Sequence, residues 1–129
     1  MKRNPYENYK EQSISTMTSG EMLTAVYDGL LKQIALAKKA IEAKDFAEVN
    51  AKLHKSQDFL AYLCSTLDFN YEISDNLNSL YEYSSRLLFD ANIKKDSCAN
   101  LDEVSKIITE LRNTYVQADK ITRSLDATK

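Results

Sequence analysis

The 129 residues contain two glycines and one proline. An all-β fold needs many turns, and those residues supply most of the turn chemistry, so the composition argues against it. No apolar run approaches the ~18 residues of a membrane span. The N-terminal Met1-Lys2-Arg3-Asn4-Pro5-Tyr6 is basic but is followed by no hydrophobic segment, which is unlike a signal peptide; a cytoplasmic location is expected. Neither sign of charge dominates, with 17 Lys and Arg against 19 Asp and Glu and a formal charge of −2. That balance gives no electrostatic case for binding nucleic acid or inserting into an anionic membrane. Cys64 and Cys98 form no CxxC pair and have no histidine nearby, so zinc is not expected. In the bundle derived below they fall at opposite ends of a helix of about 18 residues, roughly 27 Å apart. A disulfide spans at most about 7 Å between Cα atoms, so two free thiols are expected.

What is present is helical periodicity. Hydrophobic residues make up 43% of the chain, enough for one domain with a single core. Thr18 and Glu21 have the spacing of a capping box. Behind them Leu23, Val26, Tyr27, Leu30, Ile34, Ala37 and Ile41 recur at three- and four-residue steps. Gly29 interrupts this helix at a cost of roughly 1 kcal/mol against alanine, which points to another helix crossing close by. Asp45 and Glu48 open a second helix, whose stripe of Val49, Leu53, Ser56, Leu60, Leu63 and Leu67 has heptad spacing suited to antiparallel packing. A third helix places Leu77, Leu80, Tyr81, Ser84, Leu88 and Ala91 inward. A fourth starts from a cap at Asn100-Leu101-Asp102-Glu103 and runs through Val104, Ile108, Leu111, Tyr115 and Ala118. Helices at about 19–43, 46–67, 74–92 and 100–125, joined by short connections, predict an all-α, antiparallel up-down-up-down four-helix bundle over 18–129. Residues 1–17 lack helical periodicity. Terminal segments commonly fray, but Tyr6, Tyr9 and Ile14 are costly to leave in water, and an N-terminal arm that docks on the bundle is expected.

Catalysis finds no footing. Di-iron bundles need Glu-x-x-His pairs, and the one histidine, His54, follows Ala51 at that spacing. His54 lies about 140° from the centre of its helix's apolar stripe, the exposed position that histidine phosphotransfer modules use. Their His-x-x-Lys-Gly pattern is absent, however, and Asp58 at i+4 would repel phosphate, so a solvated surface histidine is the expectation. Serine and cysteine nucleophiles lack a positioned base, and there is no Gly-rich phosphate loop. The reading is of a protein that is not an enzyme and takes no cofactor or metal. More informative are large apolar side chains off the core seams. Phe59 and Tyr62 lie about 80° and 140° from their stripe. Leu87 flanks its own stripe, Tyr83 and Phe89 leave it on opposite sides, and Ile121 and Leu125 drift outward. Wide stripes on doubly flanked helices account for Leu87 and for Phe59. They account less well for Tyr62 and Tyr83, which nominate grooves for an amphipathic or extended partner segment.

The order of several short motifs carries a resemblance. Tyr6-x-x-Tyr9, Thr18-Ser19-Gly20-Glu21-Met22-Leu23, Val26-Tyr27-Asp28-Gly29, Thr66-Leu67-Asp68, Leu80-Tyr81-Glu82-Tyr83, Ala91-Asn92-Ile93-Lys94-Lys95-Asp96 and Glu110-Leu111-Arg112 follow one another over residues 6–118. The chain resembles the flagellin-specific export chaperone family, FliS. It departs from the family where proline often replaces Gly20, where a Gly-Gly loop often replaces Phe69-Asn70-Tyr71, and where tryptophan often replaces Tyr115. The resemblance implies a cytosolic helical bundle that binds the disordered C-terminal segment of flagellin, prevents its premature polymerisation and delivers it to the flagellar export gate. It further implies that an arm carrying Tyr6 and Tyr9 covers part of that surface in the free protein. A helical adaptor for another secreted or regulatory protein is the alternative on the residues alone. The expected partner-binding residues are Tyr6, Tyr9, Ile14, Phe59, Tyr62, Tyr83 and Leu87.

Overall fold

The computed structural model describes residues 19–96 and 98–127. Over these residues the chain forms four helices, α1 (Ser19–Glu42), α2 (Phe46–Ser65), α3 (Ile73–Lys94) and α4 (Cys98–Ala127), and no strand. Helix α1 packs against α2 and α4, and α3 packs against the same two. Connections of a few residues force successive helices to reverse direction, and the result is the four-helix bundle that the periodicity predicts. No helix among the described residues is long and apolar enough to cross a membrane.

With glycine so scarce, lysine takes the sharp turns. Lys44 and Lys95 adopt φ of 57° and 55°, the left-handed region that usually ends a helix on glycine. Hydrogen bonds hold them there. After α1, Lys44 N–H donates to the Ile41 carbonyl at 3.0 Å and Asp45 N–H to that of Ala40 at 2.9 Å. After α3, Lys95 N–H reaches the Ala91 carbonyl at 2.7 Å, and its Nζ binds both the carbonyl and Oδ1 of Asn92. Asp45 caps α2 as expected, its Oδ1 accepting from Glu48 N–H at 3.2 Å.

Three details of the sequence reading change. Helix α4 begins at Cys98, so Asn100 lies in its first turn and is not the cap. Its Nδ2 instead donates to the Leu87 carbonyl at 3.2 Å, tying α4 to α3. On α3, Leu80 is 36% exposed. Adjacent helical residues point about 100° apart, and Tyr81 takes the core position. Similarly, the α4 seam is half-buried at Leu111 and Tyr115 but exposed at Ala118. Thr18, the proposed cap of α1, lies outside the described residues; Glu21 accepts from Arg123 on α4.

The core is one continuous cluster. Tyr27, Leu30, Ile34 and Ala37 of α1 meet Val49, Leu53, Leu60 and Leu63 of α2, with Leu77, Tyr81 and Leu88 of α3 and Leu101, Val104 and Ile108 of α4. Each fully buried leucine or isoleucine contributes about 1.5–3 kcal/mol relative to exposure. The α2 heptad positions from Val49 to Leu63 are all buried, and Leu67, past the helix end, packs against the cluster's edge. Cys64 and Cys98 are free, half-buried thiols, and burial pushes the Cys64 thiol up.

Candidate partner-binding site

Three consecutive residues of α1 between them reach all three other helices. Tyr27 is fully buried, its hydroxyl 2.6 Å from that of Tyr81 on α3 and its ring stacked on Tyr115 of α4 with centroids 6.1 Å apart. Burial, reinforced by the hydrogen bond between them, raises the Tyr27 phenol far above its ordinary range; burial also raises that of Tyr81. Asp28, on the outer side, receives the Arg112 guanidinium of α4, with Nε 2.5 Å from Oδ1. Gly29 faces α2. A Cβ built there would lie 2.9 Å from Cζ and 3.0 Å from Cε1 of Phe59, too close for a real contact. The helix crossing inferred from this glycine is therefore Phe59 of α2 lying across α1.

That ring floors an open groove between α1 and α2. Met22 and Val26 line one side, Phe59 and Tyr62 the other, with Lys55 and Asp58 at the rim, around about 390 Å³. Phe59 is half-buried against the core, whereas Tyr62 is 47% exposed. Tyr83 and Leu87 stand elsewhere. Tyr83 is 37% exposed, and its hydroxyl donates to Glu103 Oε1 at 2.5 Å, placing it on the flank of α3 that faces α4. This bond to a carboxylate raises the Tyr83 phenol. Leu87 is half-buried against the core and its carbonyl holds Asn100. Of the four expected residues in the described region, Phe59 and Tyr62 share one groove, and Tyr83 and Leu87 share another face with Leu80. Tyr6, Tyr9 and Ile14 lie outside the described residues. Phe89 opens onto a third, polar depression between α2 and α3, beside Gln57, Glu82, Arg86 and Asp90.

The sequence reading missed two features. Met22 and Val26 complete the α1–α2 groove, although Val26 belongs to the core stripe that periodicity predicts. The width of that stripe was the available signal. At the bundle end where α1 begins, Phe69, Tyr71 and Ile73 are exposed, and Tyr71 and Ile73 line a small cavity of about 230 Å³ that reaches Leu23, Tyr81 and Tyr115. Loop residues have no periodicity from which to read a face. His54 is exposed on α2. Among the described residues no group of three or more His, Cys, Asp or Glu side chains could hold a metal ion.

Motifs quoted for the resemblance thus meet in space, Tyr27 with Tyr81 and Asp28 with Arg112. Comparison with known proteins gives the same answer. The family model described as flagellar protein FliS matches residues 2–122. The chain is 40% identical to the flagellar secretion chaperone FliS of Bacillus subtilis over 116 residues, which cover 90% of this chain and 86% of that protein. It is 29% identical to the flagellar secretion chaperone FliSB of Pseudomonas aeruginosa over 107 residues, 81% of this chain and 84% of the relative. It is also 24% identical to the FliS of Vibrio cholerae over 121 residues, 89% and 88% of the two chains. This is a family of chaperones, not of enzymes, and a match spanning almost every described helix makes the chain a member of the flagellar protein FliS family.

Proposed function

We propose that this chain is a cytoplasmic export chaperone whose client is the C-terminal segment of flagellin, held unpolymerised and passed to the flagellar export gate. The observation that carries this reading is the placement of large aromatic side chains at groove rims, outside a core that is already closed. Tyr62 stands half in water beside Phe59, Met22 and Val26, and Tyr83 does so beside Leu80 and Leu87. A disordered client needs apolar surface on which to fold. The two faces, on α1–α2 and on the α3 flank, offer that surface at separate places, which suits a segment that wraps the bundle. Residues 1–17 act as an arm, with Tyr6, Tyr9 and Ile14 shielding part of this surface until flagellin displaces them.

Calorimetric titration with the C-terminal segment of flagellin from the same organism, at several temperatures, tests the reading. Coupled folding and binding that buries on the order of 1,000–3,000 Å² gives a distinctly negative heat-capacity change. Absence of binding to the folded bundle rejects flagellin as the client. Tyr62→Glu should weaken binding about tenfold or more, as loss of a buried aromatic contact does, while leaving the melting temperature nearly unchanged. A large loss of stability would place Tyr62 in the core instead.

A further inference from the structure

We infer that Gly29 is a positioning residue for the α1–α2 groove, and that it acts by letting the Phe59 ring lie deep enough to leave room above it for a partner's bulky apolar side chain. The inference rests on the reading of this groove as a partner site. Its basis is geometric. Any side chain at position 29 would place a Cβ 2.9 Å from Cζ and 3.0 Å from Cε1 of Phe59. The obstacle is the end of a rigid ring, which yields only by turning the whole side chain. The ring's inner edge packs against the core, and its free side faces the space bounded by Met22, Val26 and Tyr62. A ring turned off its seat on Gly29 rearranges the wall of that space.

Helix propensity alone would favour alanine here, since Gly29 has no positive φ to require glycine. The glycine is explained by the ring it accommodates. The occupant that fits is a single large apolar side chain on one turn of the flagellin segment, bounded by the opposite charges of Lys55 and Asp58. That rim selects for no net charge, so selectivity here is by depth and shape.

The test uses the full chain with Gly29→Ala, Phe59→Leu and the Gly29→Ala/Phe59→Leu double variant. Gly29→Ala should leave the bundle folded, the gain in helix propensity offsetting part of the cost of the displaced ring, yet weaken binding of the flagellin segment about tenfold, equivalent to 1.4 kcal/mol. The double variant, with a shorter and more pliable side chain at 59, should regain most of the loss. Binding by Gly29→Ala within twofold of the unmodified chain would overturn the inference. A second readout does not need flagellin: titration with 1-anilinonaphthalene-8-sulfonate, followed by the Met22 methyl resonance. The dye should shift that resonance in the unmodified chain and shift it less in Gly29→Ala; equal shifts would overturn the inference. If the unmodified chain binds no flagellin segment, the client assignment fails while the dye still decides the role of Gly29. Should Gly29→Ala not fold, Phe59→Leu alone decides, because lowering the floor must change the dye-induced shift, and an unchanged shift would overturn the inference.

Discussion

The two ends of the bundle are built differently. At the end holding the α1–α2 and α3–α4 turns, side-chain hydrogen bonds complete the helices: Asp45 caps α2, Lys95 binds back onto Asn92, and Asn92 reaches Asn50. At the opposite end the loop backbone is also satisfied, with Ser74 Oγ on the Asp68 carbonyl and Asn70 N–H on Asp68 Oδ1. Its large side chains, however, are left in water. Phe69, Tyr71 and Ile73 are 58%, 65% and 57% exposed, and a cavity lined by Tyr71 and Ile73 descends to the Tyr27–Tyr81–Tyr115 cluster. The separation is not complete, since Phe46 and Ile93 are also exposed near the polar end. It teaches that stability and apolar exposure have been placed apart. One end contributes closure to the fold; the other carries surface whose loss the fold would hardly register.

Substitutions at the core and at the two ends sharpen or break that contrast. The largest effect belongs to Tyr27→Phe, which leaves the buried Tyr81 hydroxyl without a partner and should cost about 1–3 kcal/mol in urea unfolding. Replacing both residues by phenylalanine should cost less than the sum of the two single changes, because no orphan remains. The same pair sets an alkaline limit. Both phenols are raised above their unfolded value of 10.0, so the folded state holds its protons longer than the unfolded chain does. Their contribution is intact below pH 10 and is lost as pH rises beyond it, and the double phenylalanine variant should show a shallower decline in that range. Next is Asp45→Ala, expected to cost about 1 kcal/mol through loss of the α2 cap. Smallest are Phe69→Ser and Tyr71→Ser at the apolar end, which should stay within about 0.5 kcal/mol of the parent. If they destabilise as much as Asp45→Ala does, the two ends are not functionally distinct.

Much of this architecture was legible in the sequence because it obeys helical period. The α2 stripe, the Asp45 cap and the close approach at Gly29 each follow from one local rule, and each has its expected counterpart in space. What stayed illegible depends on neighbours. Leu80 and Tyr81 stand side by side in the expected stripe, and Tyr81 is the one buried, in register with Leu77, Ser84 and Leu88 and bonded to Tyr27. Asn100 looks like a cap until α3 presents the Leu87 carbonyl to it. Phe59 and Tyr62 can be nominated by angle, but of the residues that face them Val26 belongs to the stripe that periodicity assigns to the core and Met22 lies outside that stripe. The exposed loop aromatics leave no periodic trace at all.

The Tyr27-Asp28-Gly29 triplet also bears on how such a chain can change length. Together its residues are keyed to all three other helices, so inserting or deleting one residue in α1 next to the triplet turns some of these keys by about 100° away from their partners. Sliding α2, α3 or α4 by one turn breaks that helix's own key while the other two still hold the original frame. The bundle thus has a single register fixed on one turn of one helix, and length variation among its relatives is expected in the connections and at the free end of α4, not across this turn.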